Sequence, residues 1–150
     1  MGQSRFLGEF DHTLDDKGRL IVPSKFRNAL GDKFYALQSL NAKSIWLMPE
    51  AVFESFIGKV SGGIPKTDIK GQSWLRQLTS SVWEFQAEHQ GRVLIPQKLR
   101  ERAGILDPKV KIVGADDHIE IWSAALWIEQ APEQDEFLEQ TKAVYAQYGF

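Results

Sequence analysis

The sequence predicts an α+β chain made of two tandem copies of one small strand-rich module, each with short helices, followed by a helical tail. Three observations predict it. The stretch DDKGRLIVPSKFRNALG at residues 15–31 aligns without a gap on EHQGRVLIPQKLRERAG at 88–104, so that Gly, Arg, Pro, Lys, Arg and the closing Gly all coincide. In each copy the apolar runs are short and bounded by turn residues, the pattern of strands rather than of long helices. After Trp122 the sequence becomes helix-forming and acidic as far as Phe150. The offset of 73 residues between Asp15 and Glu88 is too long for a solenoid repeat and suits two tandem modules.

Each element follows from local chemistry. Leu20-Ile21-Val22 is an apolar run leaving a tight turn and stopped by Pro23, which predicts a buried strand. Pro23 then opens a helix, because its missing N–H would be unpaired in a first turn, and Phe26, Ala29 and Leu30 recur at helical spacing before Gly31. Pro96, Leu99, Ala103 and Gly104 repeat this arrangement. Lys109 to Val113 alternates as a strand, Gly114, Asp116 and Asp117 supply a turn, and Ile119 to Trp122 forms the hairpin partner. SIWLMPEAVFESF at 44–56 resembles HIEIWSAALWIEQ at 118–130, with Phe53 opposite Trp127.

Residues 58–73 are rich in Gly, Ser and Lys and read as a loop or linker, with an amphipathic helix beginning at Trp74 to Leu78. The tail is broken by Pro132 and carries Phe137, Leu138, Val144, Tyr145 and Tyr148 as an apolar stripe. The expected organisation is a first module at 6–57, a linker and helix at 58–79, a second module at 80–128 and an acidic helical tail at 129–150.

At 150 residues, 43% of them hydrophobic, the chain can bury a core. The absence of cysteine excludes a disulfide framework and a thiolate metal site. No apolar run reaches the roughly 20 residues of a membrane span, and MGQSRFLGEF lacks the apolar stretch of a signal peptide, so a cytoplasmic protein is expected. A net charge of −2 argues against binding nucleic acid through overall basicity. Any such face must be local: residues 15–27 hold four Lys/Arg against two acids, whereas 129–139 hold five acids and no base.

The duplicated acid-x-x-Gly-Arg turn, Asp15 to Arg19 and Glu88 to Arg92, is the strongest candidate for function. Gly18 and Gly91 allow the positive φ that other residues avoid. The carboxylate on one arm can then restrain the guanidinium on the other, presenting its planar fork in a fixed direction suited to guanine O6/N7 or to phosphate. An ordinary hairpin with a surface ion pair worth about 0–1 kcal/mol is the competing reading. Duplication favours function, since Lys25 and Arg27 are matched by Lys98 and Arg100, although these four could be only a solvated helix face.

The stretch GEFDHTLDDKGRLIVPSKFRNALGDKF, the second turn GRVLIPQKLRERAG and the ending VGADDHIEIWS resemble the MraZ family of bacterial transcriptional regulators, related to the SpoVT/AbrB class, over nearly the whole chain. The resemblance implies tandem β-barrel-like modules of swapped-hairpin type that bind double-stranded DNA upstream of the division and cell-wall gene cluster. It also implies recognition of short G-rich direct repeats about one helical turn apart, assembly as a ring-shaped homo-oligomer and association with the nucleoid. A ring presenting several turns along one DNA face would combine weak single contacts into a specific whole.

The family's acid-x-x-x-Arg motif maps onto Asp15 and Arg19 and onto Glu88 and Arg92, where Glu stands in place of the family's usual Asp and His89-Gln90 in place of a charged pair. The expected DNA-binding set is therefore Asp15, Lys17, Gly18, Arg19, Lys25, Arg27, Glu88, Gly91, Arg92, Lys98 and Arg100, with no cofactor, metal, membrane or small-molecule substrate.

Two other functional classes compete with this reading. Catalysis would have to rest on His12, His89 or His118, each near an acid, but none has a catalytic or metal-ligand spacing, and Gly58, Gly62 and Gly63 lack the GK[ST] ending of a phosphate loop. A pure assembly protein would use the five Trp and nine Phe for subunit contacts. Trp46, Trp83, Trp122 and Trp127 fall in strand or helix patterns, which favours the core. Arg19→Ala separates the two: an assembly protein tolerates it, a DNA-binding protein does not.

Overall fold

A computed structural model describes residues 5–86 and 91–150. The first repeat supplies β1 (Glu9–Thr13), the short β2 (Arg19–Ile21), α1 (Ser24–Leu30), β3 (Lys33–Gln38), β4 (Ile45–Pro49) and α2 (Glu50–Gly63). Helix α3 (Ile69–Ser80) leads into β5 (Trp83–Gln86), β6 (Arg92–Leu94), α4 (Gln97–Arg102), β7 (Lys109–Gly114), β8 (Ile119–Ser123) and α5 (Ala124–Gln130), which repeat the same order. Helix α6 (Gln134–Tyr148) follows. The architecture is α+β with two repeats, as predicted.

The repeats are interleaved by strand exchange. One six-stranded antiparallel sheet runs β1-β7-β8-β4-β3-β5, and β2 pairs with β6 in a separate two-stranded ribbon. Thus the first strand of each repeat lies against the third strand of the other: β1 borders β7, and β5 borders β3. The centre of this arrangement falls between β4 and β8, where Ile45 faces Ile121. Equivalent apolar residues of both repeats meet in one core, including Leu20 with Val93, Val22 with Ile95 and Phe26 with Leu99. Phe26 is gripped edge-on by Phe6 and Phe10, with ring centres 5.5 and 5.2 Å away.

The segment 58–73 departs from the expected loop. Residues 58–63 continue α2, and α3 already begins at Ile69. Val52, Phe53, Phe56, Ile57 and Val60 recur at helical spacing and pack on the outer face of β3 and β4 with Leu78 of α3. That burial outweighs the roughly 1 kcal/mol that each helical Gly concedes to Ala. The Asp68 side chain accepts the N–H of Gly71 at 2.9 Å and caps α3.

The tryptophans divide. Trp122 is buried and Trp46 and Trp127 are half-buried, but Trp83, on the sheet's edge strand β5, is exposed and so corrects its expected core place. The helix-forming stretch after Trp122 is broken at Pro132, between α5 and α6, as expected. Its stripe, Phe137, Leu138, Val144, Tyr145 and Tyr148, is exposed and covers no part of the described core.

Candidate functional site

Asp15 organises the first turn with both carboxylate oxygens. Its Oδ1 accepts the backbone N–H of Arg19 at 2.8 Å and of Lys17 at 2.9 Å, and its Oδ2 accepts Arg19 Nε at 2.5 Å. The Arg19 N–H, with smaller contributions from the Arg19 guanidinium and the Lys17 N–H, holds the Asp15 carboxyl below the usual carboxylate range. Gly18 closes the reversal with φ +82° and donates its N–H to Asp15 O at 3.0 Å. Both partners of the ion pair are about one-third exposed, so Arg19 is restrained at its Nε while the rest of its fork faces outward. In the second turn Gly91 has φ +70° and Arg92 is exposed. Glu88 lies outside the described residues.

The two turns meet at the β2–β6 ribbon. Arg19 stands opposite Leu94, Leu20 opposite Val93 and Ile21 opposite Arg92. Alternation sends Leu20 and Val93 into the core and leaves Arg19, Ile21, Arg92 and Leu94 on the outward face. Arg19 and Arg92 are thus diagonal neighbours, a placement that puts the two residues roughly 7–8 Å apart, within reach of long side chains. The predicted buried strand is therefore buried only at Leu20 and Val22, while Ile21 is exposed.

Each turn is braced by the other repeat. Ile95 N–H donates to Gly18 O at 3.1 Å, and Val22 N–H donates to Gly91 O at 2.9 Å. Arg100 lies directly over Gly18: a Cβ there would stand 2.7 Å from the Arg100 Cζ, and one on Gly91 would stand 2.6 Å from the Arg27 Nε. These arginines are held in place, since Arg100 Nε donates to Ile95 O at 3.1 Å and Arg27 Nε to Val22 O at 2.9 Å. Both glycines therefore satisfy two demands, a positive φ and a close approach by a guanidinium.

The structure thus gathers Asp15, Lys17, Gly18, Arg19, Arg27, Gly91, Arg92 and Arg100 around the β2–β6 ribbon and its two turns. It sets Lys25 and Lys98 apart. Lys25 Nζ reaches 6.0 Å from the Phe10 ring centre, and Lys98 lines a groove with Ser80, Trp83 and Arg102. Ile21 and Leu94 are members of the outward face that the sequence reading did not single out. Their signal was the phase of Arg-Leu-Ile-Val-Pro and Arg-Val-Leu-Ile-Pro, in which the middle aliphatic residue points away from its neighbours.

His12 and His118 are engaged in local hydrogen bonds, and His89 lies outside the described residues. His12 Nε2 accepts the Ile21 N–H at 3.3 Å, and burial pushes its pKa down, favouring the neutral acceptor. His118 lies in the β7–β8 turn between Asp117 Oδ1 at 2.8 Å and Glu120 Oε2 at 2.9 Å, and Trp46 packs on its ring. Burial opposes protonation of His118, but the hydrogen bonds to Glu120 and Asp117 outweigh it and raise the pKa. Among the described residues no cluster of His, Cys, Asp and Glu could hold a metal ion, and no helix is long and apolar enough to cross a membrane.

Comparison with known proteins agrees with this duplicated architecture. A family model described as "MraZ protein, putative antitoxin-like" matches residues 5–62 and 83–146, and so takes in both turn-and-strand units. The chain is 38% identical over 130 residues to the transcriptional regulator MraZ of Symbiobacterium thermophilum, covering 87% of this chain and 92% of that one. It is 37% identical over 131 residues to the protein of the same name from Desulfitobacterium hafniense strain Y51, covering 87% and 90%. It is 40% identical over 122 residues to that of Syntrophomonas wolfei, covering 81% and 83%. None of these names carries a catalysed reaction. With both repeats matched and the relatives aligned along most of their length, the chain belongs to the MraZ family.

Proposed function

We propose that this chain is a sequence-specific DNA-binding transcriptional regulator that reads short G-rich direct repeats upstream of the division and cell-wall gene cluster. The observation that carries the reading is the ribbon face itself. Arg19 and Arg92 stand side by side on two turns that brace each other, and Asp15 restrains the first guanidinium. Fixed arginine forks suit guanine O6/N7 or phosphate. The net charge of −2 is no obstacle, because Lys17, Arg19, Arg27, Arg92 and Arg100 gather around this ribbon and supply a local cationic face. Arg27 and Arg100 act by holding the glycine turns, while Lys25 and Lys98, set to the sides, add charge at the periphery. The names of the relatives, transcriptional regulators, support the same reading.

A mobility-shift titration across salt concentration tests it, using duplex DNA from upstream of the chain's own operon. The wild type binds with an affinity that falls steeply with salt, and Arg19→Ala combined with Arg92→Ala abolishes specific binding without unfolding the protein. Unchanged binding by the double variant refutes the assignment.

The chain further acts as a closed homo-oligomer in which several such faces engage one duplex. The exposed Phe137, Leu138, Tyr145 and Tyr148 of the tail favour a contact between copies. Removing residues 134–150 should convert the assembly to smaller species in light scattering, and an unchanged mass refutes the tail's part in it.

A further inference from the structure

We infer that Ile21 and Leu94 read thymine methyl groups beside the bases contacted by Arg92 and Arg19. This rests on the DNA-binding reading above. The ribbon presents two cross-strand pairs outward, Arg19 with Leu94 and Ile21 with Arg92. Each pair joins a guanidinium to an aliphatic side chain. Ile21 is 42% exposed and Leu94 55%, although the solvated face of an antiparallel ribbon ordinarily carries polar residues. Isolated exposed aliphatics need no explanation, but these lie on one narrow face between two arginines, at matching positions of both repeats.

The flanking charges define the occupant. Two cations select an anionic partner, and a two-stranded ribbon has the width to enter the major groove of B-DNA. Within that groove the thymine C5-methyl is the apolar group on the base edges, and aliphatic side chains recognise it by contact. The geometry fits adjacent bases. Directly opposed side chains stand about 4.5–5.5 Å apart at Cβ, against a rise of about 3.4 Å per base pair, so an arginine and its opposite aliphatic reach neighbouring steps. Ile21 is held for this contact by its N–H, which His12 Nε2 accepts at 3.3 Å.

The test uses duplexes recovered by the wild-type protein from a random-sequence library, resynthesised with deoxyuridine replacing thymidines singly and in pairs. Uracil pairs as thymine does and lacks only the methyl. Burial of one methyl corresponds to about a four-fold change in affinity, and of two to about fifteen-fold. Wild-type binding should weaken by these factors at thymines adjacent to guanine. The variant Ile21→Ala/Leu94→Ala, whose changes are on the surface and leave circular dichroism unchanged, should bind the two forms alike. Indifference of the wild type to uridine overturns the inference, as does a variant that keeps the full uridine sensitivity. A variant that loses oligomeric mass and retains uridine sensitivity assigns this face to a second copy and also overturns it. Recovery of no duplex from the library refutes DNA binding itself, which separates that failure from failure of methyl reading.

Discussion

Gly18→Ala should destabilise the protein through a residue of the opposite repeat. Two terms contribute. A Cβ at φ +82° costs roughly 1–2 kcal/mol of backbone strain. The same Cβ would fall 2.7 Å from the Arg100 Cζ, so the guanidinium must swing away and release its 3.1 Å bond to Ile95 O. Losing that half-buried bond costs about a further 1–2 kcal/mol. The single variant should therefore lose roughly 2–4 kcal/mol, a fall in Tm of roughly 5–15 °C for a chain of this size. With Arg100→Ala already present the clash is gone, and Gly18→Ala should cost only the strain. The double-mutant cycle, measured by urea unfolding at one protein concentration, should thus show a coupling of about 1–2 kcal/mol. Additivity within about 0.5 kcal/mol would refute the crossed bracing.

Three further outcomes are expected. Asp15→Asn keeps an acceptor for the Arg19 and Lys17 N–H groups but loses the ion pair, so DNA affinity should drop while the fold persists. Because the folded Asp15 pKa lies below its ordinary 3.8, its stabilisation is present above that value and lost as pH falls through the folded one; urea unfolding should show wild type and Asp15→Asn converging in acid. His118, raised above its ordinary 6.5, works in the opposite sense: its contribution is complete below 6.5 and disappears as pH rises through the folded value. His118→Gln should therefore flatten the stability profile in that window, followed by calorimetry, and an unchanged slope would rule His118 out as its source. Leu20→Ala should cost about 2–5 kcal/mol in chemical denaturation, whereas Ile21→Ala, one residue on and exposed, should cost well under 1 kcal/mol; equal losses would contradict the ribbon's orientation.

Much of the candidate site was legible because it is local. Asp15, Gly18 and Arg19 lie within five consecutive residues, and a positive-φ glycine with a carboxylate four positions before an arginine leaves few geometries. The hairpin of β7 and β8 was legible for the same reason: alternation and turn residues lie within one short stretch. The segment 58–63 was not, because its glycines suggest a loop and its helix depends on the packing of Val52, Phe53, Phe56, Ile57 and Val60 against β3, β4 and Leu78, which no local propensity shows. Trp83 misled in the other direction, since an aromatic residue in a strand pattern is buried only if a further layer covers that face.

The duplication alone established two turn-and-strand units, their glycines and their outward arginines, since each depends on neighbours in the chain. It could not establish that β2 pairs with β6, that β1 lies on β7, or that Arg100 sits on Gly18 and Arg27 on Gly91. Those contacts join residues more than 60 positions apart, and no local propensity encodes them. They arise because each repeat alone leaves an apolar strand face open, and exchanging strands closes both faces in a single core.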